Sequence, residues 1–170
     1  MTAHAITVRL AEPRDAQAIA LMSRDLVESG LGWKYDAARV VKAIRDADTL
    51  APVACERGRV AGFALMEFGE ERAHLVLLAV QPVQRRRGIG RRLVEWLMES
   101  AVTAGMASVH LELRADNEAA RRFYRALGFS ETLLMPKYYN GRETAMRMIR
   151  VLRAPGPLPL GWAPPVLGQK

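Results

Sequence analysis

A chain of 170 residues is long enough for one domain that buries roughly 70% of its unfolded surface, and its 50% hydrophobic content excludes global disorder. The single cysteine, Cys55, excludes an internal disulfide and fits a reducing compartment. The formal charge of +7 is concentrated in arginines 85, 86, 87, 91 and 92, so the basicity is local rather than spread over the surface. No apolar run approaches ~20 residues and no charged-then-apolar leader opens the sequence, so a soluble, cytoplasmic protein without membrane contact is expected.

In chain order, Ile6 to Leu10 alternates like a first strand. Pro13 suits the first turn of a helix whose apolar face is Ile19, Met22, Leu26 and Val27, ended by Ser29-Gly30. A loop with two aromatics, Trp33 and Tyr35, precedes Asp36, which can cap a second helix buried through Val40, Val41 and Ile44. Leu50 to Glu56 and Val60 to Phe68 read as strands joined by a hairpin at Arg57-Gly58-Arg59, and Arg72 to Val80 as the fourth strand. Ile89 to Ala104 is a third helix with Leu93, Leu97 and Ala101 on one face, stopped at Gly105. Ala107 to Arg114 alternates as a fifth strand, Val109, Leu111 and Leu113 against His110, Glu112 and Arg114. Asp116-Asn117 cap a fourth helix that ends at Gly128, and Phe129–Met135 and Glu143–Leu152 are two last strands around Tyr138-Tyr139-Asn140-Gly141. Residues 1–152 read as one domain. Residues 153–170, rich in proline and glycine around Trp162, read as a tail. This order is that of an α/β sandwich with a mostly antiparallel sheet, parallel only across the third helix.

The stretch from Gln84 to Arg92 is the most informative. It joins the end of the fourth strand to the third helix through Gly88 and Gly90, where the backbone can turn sharply and lie against a ligand. The first N–H groups of a helix lack intrahelical partners and favour an anion, and arginine forks suit phosphate oxygens, so the loop reads as a pyrophosphate site. A Walker loop is excluded because Gly90 is followed by Arg91-Arg92 and not by Lys-Ser/Thr. The dinucleotide fingerprint is excluded because Leu93 stands at its third glycine. His4, His74, His110 and Cys55 form no zinc spacing, so no metal is expected, and His74 and His110 read as structural residues of strands.

Three segments then resemble one family. Leu78-Ala79-Val80-Gln81-Pro82 through Arg85-Arg86-Arg87-Gly88-Ile89-Gly90-Arg91 is similar to the signature of the GNAT superfamily of acetyl-CoA-dependent N-acetyltransferases. Leu111 to Ala120, followed by Phe123-Tyr124-Arg125-Ala126-Leu127-Gly128-Phe129, resembles its next strand and helix. Lys137 to Ala145 resembles the closing hairpin of the ribosomal-protein alanine N-acetyltransferase branch. The N-terminal third departs from that branch, with Leu31-Gly32-Trp33-Lys34-Tyr35 where a Pro-Trp-Ser type segment is common. The resemblance implies a mixed, mostly antiparallel sheet of about seven strands flanked by about four helices and splayed between the fourth and fifth strands.

It also implies a chemistry. Leu78, Ala79 and Val80 would pair their backbone with the pantetheine arm of acetyl-CoA, and Arg85, Arg86, Arg87, Gly88, Ile89, Gly90 and Arg91 would hold its pyrophosphate. Asn117 would bond the cofactor, its alternative role being an ordinary helix cap. Glu112 would be the base that frees the attacking amine, unless it is only an ion-pair partner of Arg114 or of a neighbouring strand. Tyr124 would reprotonate the leaving thiolate, or be a core aromatic beside Phe123. Trp33, Tyr35, Tyr138 and Tyr139 would line the acceptor site. The expected acceptor is an N-terminal α-amine of a protein or peptide. A small amine (antibiotic, polyamine, amino acid), a lysine side chain, a coenzyme A sensor and a basic nucleic-acid-binding domain stay open as alternatives, as does monomer against homodimer.

Overall fold

The structure is a computed structural model that describes residues 5–153, so the Pro/Gly-rich tail and Trp162 lie outside the described residues. One sheet runs through it, with β1 (Thr7–Leu10), β2 (Thr49–Leu50), β3 (Pro52–Glu56), β4 (Arg59–Phe68), β5 (Arg72–Val80), β6 (Ser108–Arg114), β7 (Ser130–Tyr139) and β8 (Glu143–Val151). Its order is β1-β3-β4-β5-β6-β8-β7, with the short β2 paired to β4. Every pairing is antiparallel except β5 with β6. The helices are α1 (Ala16–Met22), α2 (Ala37–Arg45), α3 (Ile89–Thr103) and α4 (Glu118–Ala126).

Alternation along the central strands sorts them between two cores. Phe63, Leu65, Leu77 and Ala79 face α1 and α2, whereas Ala64, Met66, Ala73 and Leu75 face α3 and α4. Both faces of the sheet are therefore covered, which is why these strands read as near-continuous apolar runs. The strand expected over Leu50–Glu56 is instead two. The chain leaves the ladder at Ala51, whose carbonyl accepts from Ala11 N, and Pro52 restarts it. That break makes eight strands rather than about seven.

The first helix is also not uniform. It opens as a 3-10 turn at Pro13–Asp15 and closes as a π segment at Ser23–Val27, with Glu28 N bonded to Ser23 O at 2.7 Å. The wider final turn leaves Glu28 buried. Asp36 caps α2 by accepting from Arg39 N at 2.9 Å. Arg57 and Gly58 make the β3–β4 turn with φ of 51° and 75°, as a tight hairpin requires. Tyr138 and Tyr139 end β7 instead of lying in the turn, which is made by Asn140 and Gly141. Pro136 is tolerated in β7 because that strand is the sheet edge.

What positions the site is the divergence of β5 from β6. They pair only at Arg72↔Ser108, Ala73↔Val109 and His74↔His110. Beyond His74, β5 is carried away, and an extra residue, Val76, bulges it against β4, where Leu65 faces Leu77 but Met66 faces Leu75. A wedge opens between the two strands with its apex at His74 and His110.

Candidate active site

The wedge is the floor of a cleft of about 550 Å³. Its walls are β5 from His74 to Leu78, β6 from Leu111 to Arg114, the loop between α1 and α2, the start of α4 and the β7–β8 hairpin. Past the apex, Leu78, Ala79 and Val80 have no β6 residue opposite them, so their backbone groups on that side are open to an added chain.

At the far end of β5, Gly88 takes a left-handed conformation (φ 74°) and is the N-cap of α3. The α3 N-terminus with its unpaired N–H groups therefore follows β5 after a single short loop. Gly90 serves differently. A Cβ there would meet Phe123 Cζ at 3.3 Å and Val80 Cγ2 at 3.7 Å, so its absence lets α3 close on α4 and on the end of β5. The arginine side chains are less available than their number suggests. Arg87 is held by Glu56 at 2.9 Å and by Gln84, Arg91 pairs with Glu95 at 3.0 Å, Arg92 donates to Ile6 O at 2.9 Å, and Arg85 donates to Val80 O at 3.4 Å. Arg87 in turn, with Gln84, holds the Glu56 carboxyl down at about 2. Within this loop the backbone, including the left-handed Arg86 (φ 61°), is what the fold leaves for an anion.

At the apex Glu112 is engaged at both oxygens. Oε2 lies 2.7 Å from His74 Nε2 and Oε1 accepts from Arg147 at 2.9 Å. The partner left open from sequence is thus Arg147 of β8, not Arg114, which pairs with Glu143 at 3.3 Å. Burial pushes the Glu112 carboxyl up, but the hydrogen bonds and charges of His74 and Arg147 outweigh it and hold it below the usual carboxylate range. His74 and His110 are not remote strand residues. Their register pairing stacks the rings 4.5 Å apart and 4° from parallel, and His74 lines the cleft. His110 Nδ1 is buried without a hydrogen-bond partner, and burial followed by the nearness of His74 lowers its pKa. His74, His110 and Glu112 also offer three ligand-type atoms within 4.8 Å of one another, a grouping hidden by their spacing in sequence. The Arg147 guanidinium already supplies the cation that Glu112 pairs with.

Tyr124 is both a core aromatic and a cleft residue. It packs edge-on to Phe123 and Phe129 and lines the cleft, and burial raises its phenol above the ordinary value. Asn117 caps α4, its Oδ1 accepting from Ala120 N at 3.1 Å, and also lines the cleft. Tyr35, Tyr138 and Tyr139 are on the walls, with burial pushing Tyr139 up to about 12. Trp33 is not among the lining residues. It is 44% exposed, carries Arg24 over its ring and bonds Tyr35 O through Nε1. What orders this wall is Glu28, which no sequence pattern singled out. Its carboxylate accepts from Ser23 Oγ at 2.9 Å, Lys34 N at 2.8 Å and Tyr35 N at 3.2 Å. Arg114 then reaches Ser29 O and Asn140 reaches Gly30 O, fastening the loop to the end of β6 and to the opposite hairpin.

Residues 18–129 match the model of the acetyltransferase (GNAT) family, well over half of the chain. The chain belongs to that family. As a GNAT domain it is 38% identical over 96 residues to the [ribosomal protein bS18]-alanine N-acetyltransferase of Escherichia coli strain K12, which is 55% of this chain and 65% of that protein. The match thus spans just under two thirds of the length of that relative. The crystal structure of the Escherichia coli ribosomal-protein-S18-alanine N-acetyltransferase superposes with a TM-score of 0.77 at 28% identity, over 89% of this chain and 97% of that one. Arabidopsis thaliana NAA60, solved in complex with acetyl-CoA, shares the GNAT fold at a TM-score of 0.78 and 18% identity, over 87% of this chain and 99% of that one. Among the described residues no helix is long and apolar enough to cross a membrane.

Proposed function

We propose that this GNAT protein is an N-acetyltransferase that moves the acetyl group of acetyl-CoA directly onto a primary amine, with a protein or peptide N-terminal α-amine as acceptor. The observation that carries this reading is the continuity of the unpaired β5 edge. It runs from Val80, from which a short loop leads to the α3 N-terminus at Gly88, back to the basic group at the apex. The backbone of residues 85–91 binds the pyrophosphate, and the Leu78–Val80 edge pairs with the pantetheine arm. Held by these residues, acetyl-CoA would supply the thioester whose acetyl group is transferred.

The chain's own groups then divide the work. Glu112 and His74 form the basic centre that takes a proton from the amine. Tyr124, kept protonated by its burial, donates to the departing sulfur. Asn117 steadies the cofactor while capping α4. Tyr35, Tyr138 and Tyr139 wall the acceptor side, where the loop ordered by Glu28 meets the hairpin. An α-amine, with a pKa of about 7.7–8.0, is partly neutral near pH 7. A lysine amine near 10.4 is not, which favours the N-terminal acceptor. The commitment of the loop arginines to internal partners disfavours a nucleic-acid role. The single free thiol of Cys55, buried, supports placement in the cytoplasm.

The test is acetyl transfer monitored by mass spectrometry on peptides with free or blocked N-termini, with lysine-bearing peptides and small polyamines alongside. Transfer to free N-termini alone supports the reading. Faster acetylation of lysine side chains or of polyamines overturns the acceptor, and failure to bind acetyl-CoA overturns the reaction.

A further inference from the structure

Glu112 is poorly placed to receive a proton by itself. Its side chain is 6% exposed, and one oxygen is bonded to Arg147 and the other to His74. His74 differs on each count. Its side chain is 33% exposed, it lines the cleft, and it stands at the apex where the unpaired stretch of β5 begins. Because the 2.7 Å partner of Nε2 is a carboxylate that Arg147 keeps ionised, Nε2 carries the hydrogen and donates it. The lone pair is therefore on Nδ1.

Resting on the acetyltransferase reading above, we propose that His74 is the residue that accepts the amine proton, and that Glu112 is a positioning residue which fixes the tautomer and stabilises the imidazolium. The N–H bond of the attacking ammonium breaks and its electron pair stays on nitrogen as the nucleophilic lone pair. The proton goes to His74 Nδ1, directly or through one water. The new imidazolium then lies against the Glu112 carboxylate, as a histidine does against the carboxylate that orients it in a catalytic triad. The other groups around the ring are consistent with one proton being held there. His110 stacks on His74 and is pushed towards neutrality by burial and by His74 itself. Glu67 of β4, an exposed carboxylate, stands in register with His74. Arg147 of β8 and Arg72 of β5 are the opposing cations that act on His110, and Arg147 is tied to Glu112. Tyr138 of β7 faces the Glu112 side of the cluster.

The pH profile of kcat for wild type, His74→Gln and Glu112→Gln, measured with a peptide α-amine acceptor, tests this assignment. Glutamine at 74 keeps an N–H donor for the Glu112 carboxylate but has no basic nitrogen. For His74→Gln, turnover is expected to fall about 10²-fold or more, with acetyl-CoA affinity within about twofold. The rate should go on rising with pH where wild type levels off. For Glu112→Gln the levelling should persist, because His74 keeps its basic nitrogen. His74→Ala, with matched thermal melting, should regain rate when imidazole is added. A wild-type profile in His74→Gln together with a lost limb in Glu112→Gln makes Glu112 the base and overturns the proposal. So does absence of imidazole rescue combined with unchanged pH dependence. A wild-type protein that binds acetyl-CoA but acetylates no α-amine overturns the parent reading instead, before any variant is compared.

Discussion

The missing Cβ of Gly90 would stand 3.3 Å from Cζ of Phe123, so the first turn of α3 and the side of α4 are in contact through a glycine. Two residues earlier, Gly88 meets nothing within 4 Å but holds φ at 74°. The two glycines of the loop are thus needed for different reasons, one for close approach and one for backbone conformation.

Substitution should separate them. Gly88→Asp sets a side chain and a negative charge at the α3 N-terminus and is expected to weaken acetyl-CoA binding at least tenfold, about 1.4 kcal/mol. Gly90→Ala should act mainly on packing, lowering the melting temperature because Phe123 must shift. Calorimetry with acetyl-CoA and thermal melting read the two effects. Unchanged affinity in Gly88→Asp would remove the loop from cofactor binding.

Tyr124→Phe keeps the edge-on packing against Phe123 and Phe129 and deletes only the hydroxyl. Turnover is expected to drop roughly 10²-fold with acetyl-CoA affinity and melting temperature nearly unchanged. Full turnover in that variant would leave Tyr124 a packing residue alone.

Glu28 orders the cleft wall proposed for the acceptor. Lys34 N and Tyr35 N donate to different oxygens of Glu28, so Glu28→Gln keeps an acceptor for only one of them and loses charge, and Glu28→Ala loses all three bonds. The KM for the peptide acceptor should rise severalfold in Glu28→Ala and less in Glu28→Gln, while acetyl-CoA affinity stays put. An equal rise in both KM values would mean that the loop supports the whole cleft and not one wall.

Acid should loosen the N-terminal region. The Arg9 guanidinium bonds both oxygens of buried Asp15, at 2.7 and 3.0 Å, and holds its carboxyl below the usual range. A carboxyl whose pKa is lowered on folding contributes stability that is fully present above its unfolded value, near 3.9. That stability is lost as pH falls through the folded value. Asp15→Asn is therefore expected to cost about 2 kcal/mol at neutral pH, with the gap to wild type closing below about pH 4. Chemical denaturation across that range checks it, and a gap independent of pH would rule out the ion pair as its source.

Local chemistry wrote much of this protein into its sequence. The strand periods of β5 and β6, the apolar faces of the helices, the caps at Asp36 and Asn117 and the glycine loop at 88–90 all depend on neighbours within a few residues, so they are legible without a structure. The family signature belongs to the same local category, and it carried the order of the sheet with it. Tertiary structure decided the rest. His74 and Glu112 are 38 positions apart, and only the parallel register of β5 on β6 sets them 2.7 Å from each other. Arg147 reaches the same carboxylate from β8, and Glu28 orders the α1–α2 loop wall of the cleft through a π turn that periodicity does not announce. Trp33 looked like a wall of the cleft by its place in the loop, yet its ring bonds back to Tyr35 O and is not among the residues that line the cleft. The physical reason is the same in each case. Spacing along a chain fixes which side chains share a face, but whether two faces meet, and which charge then answers which, depends on strand register and on how far the sheet splays.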